Sequence, residues 1–147
     1  MRKDETGVLR RDKYRWHQVL DTRWLDNDVY GHVNNVVYYG FFDTAVNRCL
    51  IEAGALDIHA GAVIGLVVES GCRYFAPMAF PDRVCAAVGV IRVGNSSVSY
   101  QVGLFRNDDE APSAQGHFVH VYVDRHTRRP TALPQPLRQT VSALLLD

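Results

Sequence analysis

One short segment of the chain, residues 23–38 (RWLDNDVYGHVNNVVY), concentrates the residue types that do chemistry on carbonyl groups. Asp28 supplies a carboxylate that can act as a nucleophile or as a general base toward water. Gly31 lets the backbone approach a ligand closely, because glycine has no Cβ. His32 and two asparagines follow within four residues. Together these groups predict attack on an activated acyl carbonyl.

A long helix is predicted over residues 34–53. Its apolar side chains recur at spacings of three and four, which indicates a largely buried helix. Asn34 or Asn35 supplies the N-cap, and Gly54 the C-terminal stop. A helix N-terminus presents unpaired N–H groups and a partial positive charge, which can stabilise the oxyanion that forms when a carbonyl is attacked. The predicted helix would therefore supply the groups that stabilise the oxyanion formed in the same reaction. The apolar positions are Tyr38, Phe42, Ala45, Val46, Cys49 and Ala53.

The remaining elements are predicted to be strands. A first strand covers residues 16–24, and four more follow the helix with only short turns between them. This β-α-β-β-β-β order predicts an α+β fold, an antiparallel β-sheet wrapped around one long central helix. Residues 1–15 are predicted to be a loosely held N-terminal arm, and residues 16–147 a single domain. The later strands are predicted at 62–74, 83–93, 97–104 and 118–123, with a short final helix at 137–145.

The segment resembles the active-site loop of hotdog-fold thioesterases, the superfamily of 4-hydroxybenzoyl-CoA thioesterase and the acyl-acyl-carrier-protein thioesterases. Asp28-x-x-Gly31 has the spacing of the catalytic Asp and the following Gly of the first type. His32-Val33-Asn34-Asn35-x-x-Tyr38 is similar to the HVNNxxY stretch of the second type and of many small bacterial acyl-CoA thioesterases. The resemblance covers about residues 16–125 and implies the hotdog fold for this chain.

The resemblance also implies roles for individual residues. Asp28 would be the catalytic carboxylate, and His32 would orient water, substrate or Asp28. The backbone amides near Gly31 to Asn34 would polarise the thioester carbonyl. The chain departs from both patterns, because the carrier-protein enzymes have Asn where this chain has Tyr30, and the 4-hydroxybenzoyl-CoA type lacks the histidine. The implied substrate-binding residues are Tyr30, Gly31, Val33, Asn34, Asn35 and Tyr38.

Each of these residues also has a purely structural interpretation. Asp28 can serve as a turn residue or a remote helix cap, and His32 as a loop histidine. Asn34 and Asn35 are caps more often than catalysts, although a cap can also line a site. Tyr38 belongs either to the core or to the wall of an acyl tunnel.

The composition argues against nucleic-acid-binding, membrane and metal-binding proteins. The 147 residues include 16 Lys plus Arg and 16 Asp plus Glu, so the formal net charge is zero, which argues against a nucleic-acid partner. The longest apolar run is much shorter than a membrane span, and no secretory signal is recognisable, so we expect a cytoplasmic protein without a membrane partner. Three cysteines without CxxC spacing predict buried apolar side chains and no metal site.

A few residues outside the segment are also candidates for a functional role. His117 and His120 are predicted to lie on opposite faces of a strand, which excludes a metal pair. Glu69 is either a sheet-surface acid or an acid near the site. The basic cluster Arg125, Arg128 and Arg129 either binds the phosphates of CoA or forms a solvated turn.

These inferences favour an acyl-CoA thioesterase that hydrolyses its substrate to the free acid and CoA. No cofactor is expected beyond the CoA of the substrate. Edge-to-edge pairing of the sheet predicts a homodimer or homotetramer. The alternatives are a non-catalytic acyl-CoA-binding or regulatory hotdog protein, an acyl-carrier-protein thioesterase and, ranked last, a hotdog dehydratase or hydratase.

Overall fold

A computed structural model describes residues 7–147 and confirms the predicted β-α-β-β-β-β order. The first strand ends at Asp21 rather than near residue 24, because Trp24–Asp26 form a 3₁₀ turn. The final helix begins at Gln135, two residues before the predicted start, since proline is tolerated in the first helical turn. The elements are β1 (Trp16–Asp21), α1 (Asn35–Glu52), β2 (Val63–Tyr74), β3 (Arg83–Val93), β4 (Ser97–Arg106), β5 (Ala114–Asp124) and α2 (Gln135–Ala143).

The five strands form one antiparallel sheet in the order β1-β3-β4-β5-β2. The β3-β4 and β4-β5 pairs are sequential hairpins, whereas β1 and β2 are added at the two edges. A bulge interrupts the β2-β5 ladder between Val67 and Glu69. Because β2 is the last strand of the sheet, one side of its backbone has no partner strand within the described chain.

Helix α1 covers part of the concave face of this sheet. It lies chiefly against β3, β4 and β1, and its side chains Phe42, Ala45 and Val46 are completely buried there. Five of the six predicted apolar positions enter the core, whereas Ala53 is the C-cap residue and is exposed, because α1 ends at Glu52. The hotdog arrangement implied by the resemblance is present. The concave face beside β2 is not covered in the same way.

The N-terminal segment is held more firmly than predicted. Tyr14 is buried on the convex face of the sheet, where its ring packs edge-on against Phe105 and its hydroxyl accepts a hydrogen bond from Gln101. The Gln115 side chain bonds to the backbone of both Gly7 and Leu9. A loosely held arm is therefore wrong for residues 7–15, and residues 1–6 lie outside the described residues.

The cysteines follow the prediction in part. Cys49 and Cys85 are buried and Cys72 is half-buried, and none of the three forms a disulfide. Burial raises the pKa of the Cys49 thiol to about 11, so this thiol is protonated at neutral pH and behaves as a small apolar side chain.

Candidate active site

Residues 27–33, which include Asp28 and Gly31, form a short hairpin that immediately precedes α1. Asn27 and Val33 form an isolated antiparallel bridge, and the Asp28 N–H donates to the His32 carbonyl at 2.8 Å. The turn closes when the Gly31 N–H donates to the Asp28 carbonyl at 3.1 Å. Gly31 has a φ of 82°, a conformation that L side chains rarely adopt. The glycine is therefore required by the turn that carries Asp28.

A second acid, Asp26, anchors this hairpin. Its side chain is only 1% exposed and accepts hydrogen bonds from both the backbone and the guanidinium of Arg23. The Asp26 carbonyl accepts from the Asn34 N–H at 2.9 Å, which links the hairpin to the start of the helix. The Val33 N–H donates to the Met78 carbonyl at 2.7 Å, which joins the hairpin to the β2-β3 loop. The hairpin is thus fixed at three points.

The Asp28 carboxylate is half-buried and only partly used by the fold. Its Oδ1 atom accepts from the Tyr30 N–H at 2.8 Å and more weakly from the His32 N–H at 3.5 Å. Its Oδ2 atom makes no hydrogen bond with the described part of the chain. One oxygen therefore orients the carboxylate, and the other is free to react with a substrate or a water molecule.

The N-terminus of α1 also has one free group. The Asn34 side chain caps the helix by accepting from the Val36 N–H at 3.0 Å, and the Val37 N–H donates to the Asn34 carbonyl. Asn34, rather than Asn35, is therefore the cap. Among residues 7–147 the Asn35 N–H has no hydrogen-bond acceptor, so it is available to polarise a carbonyl oxygen.

A cleft of about 390 Å³ brings these groups together. Of the residues singled out in the sequence, it is lined by Asp28, His32, Val33, Asn35 and Tyr38. The other three do not line it. Gly31 forms the turn and Asn34 the cap, whereas Tyr30 is 80% exposed on the outer side of the hairpin.

The opposite wall of the cleft comes from the end of β2 and the loop that follows it. Tyr74, Phe75, Ala76 and Pro77 line this wall. The rings of Tyr38 and Tyr74 meet edge-on with centroids 5.0 Å apart, and the Tyr74 hydroxyl donates to the Asn35 carbonyl at 3.4 Å. No sequence signal singles out these wall residues, because they reach the site only through sheet pairing.

Burial raises the pKa of Tyr38, although a hydrogen bond with the backbone of Met78 opposes the shift. Its hydroxyl therefore stays protonated at neutral pH and acts as a hydrogen-bond donor or acceptor, not as a base. The cleft thus combines one ionisable carboxylate, one histidine and a largely apolar aromatic wall.

The residues considered outside the segment lie elsewhere. His117 and His120 lie on opposite faces of β5, and His117 pairs at 3.3 Å with Glu69 on the exposed convex face. Glu69 is therefore a sheet-surface acid. Arg125 donates to the Ile58 and Gly61 carbonyls and so closes the loop before β2.

Residues 7–147 contain neither a cluster of metal-ligating side chains nor a membrane-spanning helix. No group of three or more His, Cys, Asp or Glu side chains there is arranged to hold a metal ion. No helix in that range has the length and apolarity required to cross a bilayer.

Comparison with known proteins places the chain in a family. The PA5185 protein from Pseudomonas aeruginosa strain PAO1 is 54% identical, with a TM-score of 0.92 over 96% of this chain and 99% of that one. The PA2801 protein from Pseudomonas aeruginosa, a proposed thioesterase, is 27% identical, with a TM-score of 0.81 over 87% and 98%. Slr0204 from Synechocystis, a 1,4-dihydroxy-2-naphthoyl-CoA thioesterase, is 18% identical and shares the fold, with a TM-score of 0.78 over 87% and 96%.

A search of curated proteins finds no significant match. The family model of the thioesterase-like superfamily matches residues 22–141, which includes the hairpin, α1, the four later strands and most of α2. This chain therefore belongs to the thioesterase-like superfamily.

Proposed function

We propose that the protein is an acyl-CoA thioesterase that uses Asp28 and the N-terminus of α1. The observation that carries the proposal is the shared cleft, which is lined by both Asp28 and Asn35. Within residues 7–147 the Asp28 Oδ2 atom and the Asn35 N–H have no hydrogen-bond partner. Membership of the superfamily supports thioester hydrolysis in general. The choice of Asp28 and of a CoA substrate rests on the geometry and on the resemblance of the segment.

In the proposed reaction, water adds across the C–S bond to give a carboxylic acid and the CoA thiol. Asp28 Oδ2 either attacks the thioester carbon, which expels the CoA thiolate and leaves an acyl anhydride that water then hydrolyses, or takes a proton from water that attacks the thioester carbon. The negative charge that develops on the carbonyl oxygen is stabilised by the Asn35 N–H and the positive end of the helix dipole. His32, which lines the same cleft, would orient the water or the leaving group.

The decisive experiment measures thiol release from a panel of acyl-CoA thioesters with a chromogenic thiol reagent. Asp28→Asn keeps a side-chain oxygen for the Tyr30 N–H, so the hairpin should persist while kcat falls at least about a hundredfold. The matched control is Asp108→Asn, an exposed acid in the β4-β5 loop, which should leave kcat unchanged. Thermal unfolding of all three proteins reports whether the fold is intact.

Other outcomes favour the alternatives. Saturable acyl-CoA binding with no thiol release from any thioester would overturn hydrolysis and favour an acyl-binding protein. Thiol release only from acyl-carrier-protein thioesters would support thioester hydrolysis but would identify the carrier protein, and not CoA, as the group that carries the acyl chain. Wild-type turnover in Asp28→Asn would exclude Asp28 as nucleophile or base.

We also propose that two copies pair through β2. The strand has 12 residues and lies at the edge of the sheet, with no partner strand on its outer side within residues 7–147. Its side chains Leu66, Val67 and Val68 are exposed in the single chain. A long apolar edge strand is a template for pairing with another strand. Light scattering coupled to size-exclusion chromatography measures the oligomeric state directly.

A further inference from the structure

The strip of concave face between α1 and β2, called the groove below, is left uncovered by the described residues. Val67 pairs with His120 of β5 and shares its inward face, yet 49% of Val67 is exposed, because α1 lies chiefly against the other side of the sheet. One end of the groove is the cleft of Asp28, where Tyr74 of β2 meets the start of α1. The groove therefore extends the proposed active site along the helix.

The other end of the groove holds a second cavity, of about 120 Å³. Asn47 of α1, Gly65 of β2 and His120 and Tyr122 of β5 contribute to its lining. Asn47 follows Asn35 by twelve residues, so the two sites are separated by about 18 Å along the helix axis. This separation suits an extended acyl chain with its thioester at one end.

The feature that points to a ligand is His120. Its side chain is buried, with 4% exposure, and its Nε2 atom has no hydrogen-bond partner among the described residues. Buried polar atoms in folded proteins are nearly always paired, so an unpaired one in a cavity wall indicates a missing partner. The Tyr100 and Phe118 rings, with centroids 5.0 and 5.8 Å from that of His120, restrict the imidazole.

Gly65 keeps space for this arrangement. A Cβ at this position would lie 2.9 Å from the Tyr122 ring and 3.4 Å from His120 Nδ1. A larger side chain on β2 would therefore push into the two aromatic rings at the cavity wall. The absence of a side chain leaves β2 close above His120.

The chemistry of the cavity is polar and uncharged. Asn47 donates both amide hydrogens to Asp43, so its Oδ1 atom remains as an acceptor. The Tyr100 and Tyr122 hydroxyls are bonded to each other at 2.8 Å. Burial lowers the pKa of His120 to about 4, although the nearby Asp43 opposes the shift, so the imidazole is neutral at pH 7.

These groups discriminate between ligand classes. A carboxylate would meet the negative charge of Asp43, and an ammonium group would lose more hydration energy than it regains from Asp43, because that carboxylate is solvent-exposed. A hydroxyl can donate and accept at once, which matches a neutral imidazole beside an amide oxygen. An uncharged hydroxyl is therefore the group that this cavity fits best.

We propose that the His120 cavity binds a hydroxyl at the far end of an acyl chain whose thioester lies at Asp28, so that the enzyme prefers ω-hydroxyacyl thioesters over plain ones. The inference rests on the proposed function, because it uses the same groove and the same reaction. It adds the substrate class and assigns the specificity to Asn47 and His120.

The test compares thiol release from octanoyl-, decanoyl-, dodecanoyl-, tetradecanoyl- and hexadecanoyl-CoA with release from their ω-hydroxy counterparts. Among chains long enough to span the groove, the hydroxyl should raise kcat/KM about three- to tenfold, the effect of one or two uncharged hydrogen bonds. His120→Phe keeps a ring in the cavity wall and should abolish this preference, so that plain and ω-hydroxy chains of the same length give equal kcat/KM. The matched control is His117→Phe, on the opposite face of the same strand, which should keep the preference.

Several outcomes would overturn the inference. Equal kcat/KM for both series, or a preference that survives in His120→Phe, would mean that the cavity holds only water. A preference confined to the shortest chains would refute a chain that spans the groove. If His120→Phe fails to fold, Asn47→Leu on the half-buried helix face provides the same comparison.

A failure of the proposed function is separable from a failure of this inference. If no thioester is cleaved, calorimetric titration with tetradecanoic acid and ω-hydroxytetradecanoic acid still tests the cavity without hydrolysis. Tighter binding of the hydroxy acid by wild type, lost in His120→Phe, would support the inference. Equal binding of the two acids would overturn it.

Discussion

Replacing the helix cap by an acid, Asn34→Asp, separates the stability of the helix from the chemistry proposed at its N-terminus. Aspartate caps a helix about as well as asparagine and can still accept from the Val36 N–H. A negative charge at this end also interacts favourably with the helix dipole, by about 0.3–1 kcal/mol. Thermal stability should therefore not fall. The value of kcat should fall, in contrast, because the new negative charge lies beside the Asn35 N–H, where the proposed oxyanion forms.

The size of the catalytic loss follows from Coulomb's law. Two unit charges about 6 Å apart at an effective dielectric constant of about 20 repel each other by about 3 kcal/mol. Each 1.36 kcal/mol of barrier corresponds to a factor of ten, so kcat of Asn34→Asp should fall about a hundredfold. Asn34→Ser keeps a capping oxygen without the charge and should remain close to wild type in kcat.

The assay is thiol release from the best acyl-CoA substrate, at low salt and again at about 1 M salt. The new charge would also repel the anionic CoA, but salt of this strength reduces the screening length to about 3 Å and so removes the long-range part of that effect. The loss in kcat should persist at high salt. Equal kcat for Asn34→Asp and Asn34→Ser would refute an oxyanion held at the start of α1.

Three further predictions concern the turn, the buried histidine and the sheet edge. Gly31→Ala should lower the free energy of unfolding in urea by about 1–2 kcal/mol, because its positive φ is unfavourable for alanine, and Gly31→Asn should recover part of this loss, because asparagine tolerates that conformation. Burial lowers the pKa of His120 in the folded protein to about 4, from an ordinary 6.5. The unfolded chain therefore binds the proton more readily, so the free energy of unfolding should decrease as the pH is lowered from about 6.5 to about 4. The histidine's share of that loss approaches about 3 kcal/mol and should be absent in His120→Phe, as measured by denaturant unfolding at the two pH values. Val68→Lys places a charge on the exposed β2 edge and should convert the proposed dimer to a monomer in light scattering, and a dimer that survives would exclude pairing through β2.

The part of the site that the sequence predicts is the part made by local interactions. Asp28, Gly31 and the Asn34 cap lie within seven residues, and their positions follow from turn and capping rules. The structure brings Asp28, His32 and Asn35 to one cleft, as the spacing indicates. Their catalytic roles remain predictions for the experiments above.

The part that the sequence does not reveal depends on contacts between distant segments. Tyr74 and Phe75 complete the cleft from the end of β2, where only the pairing of that strand places them opposite the helix. The alternation of β5 predicts that His117 and His120 face opposite sides. It does not predict that His120 is buried with its Nε2 atom lacking a hydrogen-bond partner among residues 7–147. Tyr14 lies in a charged segment of the sequence, and its burial is not predicted there, because its partner Gln101 lies in a distant strand.

The two acids of the hairpin show why one of them is free for chemistry. Asp26 is buried, and both of its carboxylate oxygens accept hydrogen bonds from Arg23. Its role is therefore to hold the loop in place. Asp28, two residues later, uses one oxygen for the turn, and its other oxygen has no hydrogen bond within the described residues. If Asp28 were only a turn residue, an asparagine would serve equally well, because its side-chain oxygen can accept from the same Tyr30 N–H. A carboxylate differs from that asparagine in its charge and its second oxygen, and the proposed attack on a thioester uses both properties.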